Sequence, residues 1–215
     1  MKVLVVGAHG KTGRHIVKLL AKSEQHKVRA MIREEKQTDA LEKLGAEEIV
    51  FADLEKDISY AVDGCDAIIF AAGSGSQTGP DKTELVDHLG AIKMIEEGEK
   101  QAIQRYIQLS SMFADDPESG PNAIHHYLVA KQKSDERLQS STLNYTIVRP
   151  GGLLDDHGSG RVQAEEKIKN SAVRTISRED VARTIVAALD TDHTSRRTFE
   201  LLSGETPIEE ALRQL

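Results

Sequence analysis

The chain has 215 residues, 39% hydrophobic and 29% charged, which fits a well-buried globular unit and excludes disordered and fibrous classes. A net charge of −7 argues against a general nucleic-acid binder, so any anionic ligand must be met by local positive groups. The single cysteine, Cys65, cannot form an intramolecular disulfide, and no apolar run is long enough for a signal core or a membrane span; a cytoplasmic protein is expected.

In chain order, Val3–Val6 reads as a buried strand ended by Gly7, and Lys11–Lys22 as a helix with Ile16, Val17, Leu19 and Leu20 at helical spacing. Val28–Ile32 predicts a second strand, followed by a charged helix carrying Leu41 and Leu44 and stopped at Gly45. Ile49–Phe51 and Ala67–Phe70 predict the third and fourth strands, the fourth opening into Ala71-Ala72-Gly73-Ser74-Gly75. Lys82–Lys100 predicts a long helix with Leu85, Leu89, Ile92 and Ile95 along its apolar stripe. Tyr106–Leu109 is a fifth strand ending in Ser110-Ser111, Asn122–Gln139 a helix, and Tyr145–Val148 a sixth strand stopped by Arg149-Pro150-Gly151-Gly152. Beyond Pro150 the pattern weakens. Arg161–Ser171 reads as strand or loop, Ser177 caps a helix with Asp180 three residues on, Thr198–Leu202 is a last strand, and a short helix follows Thr206-Pro207. Parallel strands need helical crossovers, so the expected fold is α/β: a doubly wound parallel sheet, the Rossmann fold, in three α/β/α layers. One domain is expected over 1–215, with a small substrate-side region within 151–215.

Gly7-Ala8-His9-Gly10-Lys11-Thr12-Gly13 spells G-x-x-G-x-x-G between the first strand and the first helix. In such a turn Gly7 permits the sharp exit, Gly10 lets backbone approach a pyrophosphate, and Gly13 allows close helix–strand packing. The pattern alone is weak; its position between a buried strand and an amphipathic helix makes it a dinucleotide turn. An acidic residue about 20 positions on would hold a ribose 2′-hydroxyl. Arg33 stands there, and its planar fork suits a 2′-phosphate, which favours NADP over NAD. Glu34-Glu35 beside it would serve a 2′-hydroxyl, and Arg33 merely opening a solvated helix is the plainer alternative.

With these residues stand Asp53-Leu54, Ala71-Ala72-Gly73, Ser110-Ser111, Tyr127 four before Lys131, Tyr145–Gly151 and Ile176–Ala182. In this order and spacing the chain resembles the atypical short-chain dehydrogenase/reductases, an NAD(P)H-binding, NAD-dependent epimerase/dehydratase-like group, over nearly its whole length. The resemblance implies that Gly7, His9, Gly10, Lys11, Thr12 and Gly13 surround the pyrophosphate and that Arg33 takes the adenosine phosphate. It implies that Asp53 and Leu54 border the adenine, that Ala71, Ala72 and Gly73 lie along the ribose, and that Pro150, Gly151 and Leu153 border the nicotinamide. Tyr127 and Lys131 would then work as a pair, the hydroxyl exchanging a proton while the lysine holds the nicotinamide ribose, with Ser110 or Ser111 polarising a carbonyl. From spacing alone the pair reads equally well as core filling and a solvated charge.

The expected function is an NADP-binding oxidoreductase acting on an unidentified small substrate. A sugar-nucleotide epimerase or dehydratase is disfavoured because only 66 residues run from Pro150 to Leu215. A non-catalytic NADP-binding redox-sensing regulator is the reading from a different class. The expected partner is a small molecule, with neither nucleic acid nor membrane, and the protein is a monomer or homodimer. His125 and His126 lack a third ligand at metal spacing, so no metal is expected. Asp115-Asp116 and Asp155-Asp156-His157 read as solvated loops.

Overall fold

Strand β1 (Lys2–Val6) sends Val3 and Val5 into one apolar core and Leu4 and Val6 into another, because successive side chains of a strand face opposite ways. This computed structural model describes residues 1–75, 78–169 and 171–215. The further strands are β2 (Lys27–Ile32), β3 (Glu48–Phe51), β4 (Ala67–Phe70), β5 (Arg105–Leu109), β6 (Tyr145–Pro150), β7 (Gly152–Leu154), β8 (Arg161–Glu165), β9 (Thr175–Ser177), β10 (Arg197–Ser203) and β11 (Thr206–Pro207). The central sheet runs β11-β8-β10-β6-β5-β4-β1-β2-β3. From β10 to β3 all neighbours are parallel, while β8 and β11 pair antiparallel at the far edge. Strands β7 and β9 form a separate parallel pair. The α/β Rossmann architecture expected from the alternation is the one observed, with an antiparallel edge that the alternation did not foretell.

The helices are α1 (Lys11–Leu20), α2 (Thr38–Glu42), α3 (Ser59–Val62), α4 (Pro80–Thr83), α5 (Ala91–Lys100), α6 (His125–Gln139), α7 (Arg178–Leu189) and α8 (Ile208–Arg213). Helix α1 packs on α7 over one face of the sheet, burying Ile16, Val17 and Leu20 with Val181 and Ile185. The opposite face holds Phe70, Met94, Ile95, Tyr106, Leu138 and Ile147. Among the described residues no helix is long and apolar enough to cross a membrane.

The long helix expected over Lys82–Lys100 differs in one respect. Between α4 and α5 the backbone takes a π-helical turn, Glu84–Gly90. A π-turn inserts an extra residue per turn and shifts the phase of the buried face. Leu89, expected in the stripe, is 45% exposed, and Val86, Asp87, Gly90, Ala91 and Met94 face inward instead. The Arg161–Ser171 segment is strand over β8, and Asn170 lies outside the described residues.

The loop after β7 is solvent-exposed over residues 155–157 and is tied down from Gly158 on. Ser177 caps α7, its Oγ accepting the Asp180 N–H at 3.0 Å. The buried Asp180 carboxylate accepts the N–H groups of Ser159 at 2.8 Å and Gly160 at 2.9 Å, and Glu179 accepts that of Gly158 at 3.0 Å. Asp180→Ala is expected to lower stability by about 3 kcal/mol in urea denaturation, since hydrogen bonds to a charged group contribute on the order of 1.5–3 kcal/mol each. An unchanged midpoint would show that the loop is held by something else.

Candidate functional site

The sheet order reverses between β1 and β4, and in open α/β sheets a ligand crevice forms at that point, at the carboxyl ends of the strands. The glycine turn fills its floor, and its glycines serve three different needs. Gly7 has φ +81°, and a Cβ there would lie 2.6 Å from the Ala72 backbone. A Cβ on Gly13 would lie 2.2 Å from the Gly7 carbonyl oxygen. Gly10 has ordinary backbone angles, and a Cβ there would meet Gly7 O alone, at 3.2 Å, so this glycine leaves open a space that a side chain would fill. Helix α1 starts at that space with no side-chain cap and no acidic residue in its first turn. Among the described residues the N–H groups of Lys11, Thr12 and Gly13 have no acceptor. Free N–H groups at a helix N-terminus, under an open cradle, are the donor set for a pyrophosphate, and the residues present fit a dinucleotide.

At the end of β2, Arg33 is exposed and its guanidinium makes no hydrogen bond or ion pair among the described residues. Glu34 is engaged locally: it caps the turn Glu35–Gln37 reciprocally with Gln37 and pairs with Lys36 at 2.5 Å. The Lys36 hydrogen bond, first among its causes, holds the Glu34 carboxyl below its ordinary range. His9 reaches from the turn to Arg14 and Gln37, and burial followed by the Arg14 charge lowers its imidazole. Asp53 turns back to accept the Glu55 N–H, and Leu54 packs beneath Gly90.

Across the crevice, α6 brings Tyr127 and Lys131 to the mouths of β4 and β5. Lys131 Nζ donates to Leu109 O at 3.1 Å and stands 5.8 Å from the Phe70 ring centroid and 5.6 Å from that of Tyr127. Asp87, carried in by the π-turn, places Oδ1 3.3 Å from Nζ. Burial alone would lower the Lys131 ammonium, but its electrostatic interactions with Tyr127, Asp87 and Asp135 outweigh it and leave it raised. Burial raises the Tyr127 phenol, with Asp87 and Asp135 adding and Lys131 opposing. One turn along α6, buried Asp135 accepts from Gln108 at 2.8 Å, from Ser110 Oγ at 2.8 Å and from Arg149 Nε at 2.9 Å. Burial dominates there too and raises the Asp135 carboxyl despite Arg149. Ser110 therefore has its hydroxyl proton committed to Asp135, whereas the half-buried Ser111 makes no side-chain hydrogen bond among the described residues.

At the end of β6, which runs two residues beyond the expected Val148, Pro150 is buried, and Gly151 after it is packed so that a Cβ would lie 2.5 Å from Arg174 O. Leu153 lies on β7, and its carbonyl accepts from Arg178 at 3.1 Å. Asp155 is exposed, as expected of a solvated loop charge, and it pairs with Lys11 at 2.5 Å and Arg178 at 2.6 Å, which hold its carboxyl below the ordinary range. Asp115 likewise pairs with Lys167 at 2.8 Å. Asp87 and Asp135 escaped the sequence reading. Each sits in a helix whose polar positions look solvated, and only the phase set by tertiary packing turns them inward. A pocket of about 390 Å³ also opens at the β8 edge, lined by Val162–Glu165 and Ser203–Thr206, apart from these residues.

The profile of a family described as NAD(P)H-binding matches residues 7–192. The Bacillus subtilis (strain 168) protein YhfK, named an uncharacterized sugar epimerase, is 46% identical over 218 residues and covers 100% of both chains. A Bacillus halodurans structure described as a candidate NAD-dependent epimerase/dehydratase is 46% identical, with a TM-score of 0.96 over 100% of each chain. The Lactococcus lactis oxidoreductase ylbE is 29% identical, with a TM-score of 0.86 over 100% of this chain and 96% of its own.

Proposed function

Because the chain belongs to the NAD(P)H-binding family, we propose that it is an NADP-dependent oxidoreductase of the atypical short-chain dehydrogenase/reductase type that reduces a small carbonyl or comparable redox-active substrate. One observation carries this reading: Lys131 and Tyr127 stand together at the mouths of β4 and β5, on the same end of the sheet as the open Gly10 cradle. Bound NADPH would supply a hydride. The Tyr127 hydroxyl gives its proton to the reduced oxygen, and Lys131 donates to the nicotinamide ribose hydroxyls. Gly7 to Gly13 receive the pyrophosphate, and Ala71, Ala72 and Gly73 line the ribose. Pro150, Gly151 and Leu153 border the nicotinamide, and residues 151–215 supply the substrate side of one continuous domain. Ser111, free of other side-chain bonds among the described residues, is better suited to polarise a carbonyl than Ser110.

The preference for NADP rests on Arg33, whose guanidinium is unengaged while Glu34 is held by its own turn and by Lys36. Arg33→Ala is expected to weaken NADP by roughly tenfold to a hundredfold, the equivalent of one charge-assisted hydrogen bond, and to leave NAD nearly unchanged. Calorimetric titration of both cofactors measures this. Equal parent affinities for the two would transfer the discrimination to Glu34 or Glu35. A screen of quinones, flavins and small aldehydes for NADPH oxidation tests the reaction itself. The second reading, a sugar-nucleotide epimerase, draws on the name of the B. subtilis relative. Against it, much of the chain after Pro150 is used by β8, β10, β11, α7 and α8 to complete the sheet and its cover. Turnover of a nucleotide sugar without net NADPH oxidation would establish it.

A further inference from the structure

Between the carboxyl end of β3 and the start of α3, residues 52–58 form neither helix nor strand, and this stretch carries Asp53 and Leu54. Its internal bonds are local: Asp53 Oδ1 accepts the Glu55 N–H at 3.0 Å, and Asp53 O accepts the Lys56 N–H at 2.8 Å. The helices after β4 supply a firmer hold. On α5, Lys93 Nζ donates to Leu54 O and to Lys56 O, each at 2.7 Å. On α4, Lys82 pairs with Glu55 at 2.5 Å. Gly90 permits the close approach, since a Cβ there would lie 2.9 Å from Leu54 Cβ. A lysine ammonium is strongly hydrated, and spending it on two main-chain carbonyls of one short stretch holds that stretch in one shape. Lys56 O is at the surface, where water would satisfy it as well, so the bond to it serves shape rather than saturation. The N–H groups of Asp53 and Leu54, by contrast, have no acceptor among the described residues, although Leu54 is only 7% exposed. Unpaired backbone donors on buried residues are uncommon, and two in succession suit a ligand that presents acceptors.

We propose that Lys93 is a positioning residue for the adenine end of the dinucleotide: it sets residues 52–58 in the shape that presents Asp53 and Leu54 to the base, and it acts on the cofactor only through them. The proposal rests on the reading of Asp53 and Leu54 as the adenine border. Adenine carries an acceptor at N1 and an amino group beside it, which match a backbone N–H and a carboxylate. Hypoxanthine carries a donor at N1 and an oxygen in place of the amino group, so it reverses both matches. Either match needs the main chain from Asp53 to Lys56 to keep its course, and the two bonds from Lys93 fix that course at both ends of the Glu55 residue.

Affinities for NADP and for nicotinamide hypoxanthine dinucleotide phosphate, read by calorimetry without any substrate, test the inference. The parent protein is expected to bind the hypoxanthine cofactor about three- to tenfold more weakly than NADP. Lys93→Met removes the ammonium and keeps the stem. It is expected to weaken NADP by about three- to tenfold and the hypoxanthine cofactor by less than about twofold, because the second cofactor has no match left to lose. Equal losses for the two cofactors, or no loss at all, would overturn the proposal, because the lysine would then not act through the base. A parent protein that binds both cofactors equally would overturn the adenine reading, and this proposal with it, while leaving the oxidoreductase reading intact. A parent protein that binds neither would refute the dinucleotide reading from which both follow. Melting curves identify variants that do not fold. Should Lys93→Met be one of them, Lys93→Gln, too short to bridge both carbonyls, is expected to show the same split between the two cofactors.

Discussion

Gly10→Val is expected to abolish dinucleotide binding while the protein melts at nearly the parent temperature. The backbone at Gly10 has φ −64° and ψ 162°, values that any residue adopts, and the space above it is bounded only by Gly7 O. An added Cβ stands 3.2 Å from Gly7 O, so that carbonyl must give by a few tenths of an ångström, and the side chain then fills the cradle that a pyrophosphate needs. The expected loss is about a hundredfold or more in affinity, since the phosphates could no longer reach the N–H groups of α1. Gly13 is the contrasting position: its missing Cβ would collide with Gly7 O at 2.2 Å, so even alanine there disturbs the packing of α1 on β1. Calorimetry with both nucleotides and a melting curve check the pair together. Undiminished binding by a folded Gly10→Val protein would refute the assignment of this turn.

Tyr127→Phe is expected to leave cofactor affinity nearly unchanged and to lower turnover by about 10²–10⁴, the usual contribution of a positioned proton donor. The ring would keep its place beside the Lys131 ammonium, because that contact uses the face and not the hydroxyl. The deleted hydroxyl has no protein partner among the described residues, so little stability goes with it. Burial, with Asp87 and Asp135, holds the phenol above its ordinary value. The group therefore keeps its proton at neutral pH, which suits donation to a reduced oxygen better than abstraction from an alcohol. The measurement is NADPH consumption with whichever substrate the screen supplies. Turnover at the parent rate would make Tyr127 a packing residue and would direct attention to His126, its exposed neighbour on α6.

Much of this was legible in the residues themselves. The strands β1 and β4 announce themselves as short apolar runs, because strands buried on both faces have no polar alternation to hide them. Ser177 with Asp180 three residues on spells the start of α7, and the three glycines spell the turn. The phase of the helix after Gly79 was not legible. A period of 3.6 residues carries Leu85 and Leu89 inward, but the π-turn rotates Leu89 out and Asp87 in, and nothing local marks the change. Strands β7 and β9, three residues each, are too short to show a period and exist only because they pair with each other. Asp155 reads as a solvated acid and is exposed, but its partners, Lys11 and Arg178, are distant in sequence and could not be read from it.

The two cores also differ in when they can be completed during synthesis. The face holding Phe70, Met94 and Tyr106 draws its last members from Leu143, Tyr145 and Ile147. The face under α1 needs Val181, Ile185, Phe199 and Leu212 as well. A chain leaving the ribosome N-terminus first can therefore seal one side of its sheet while the apolar stripe of α1 stands uncovered. At roughly 5–20 residues per second, the interval before α7, β10 and α8 arrive is on the order of several seconds. For that interval the nascent chain carries an open apolar face, and chaperones would be expected to engage it there, on Ile16, Val17 and Leu20, rather than on the side already closed.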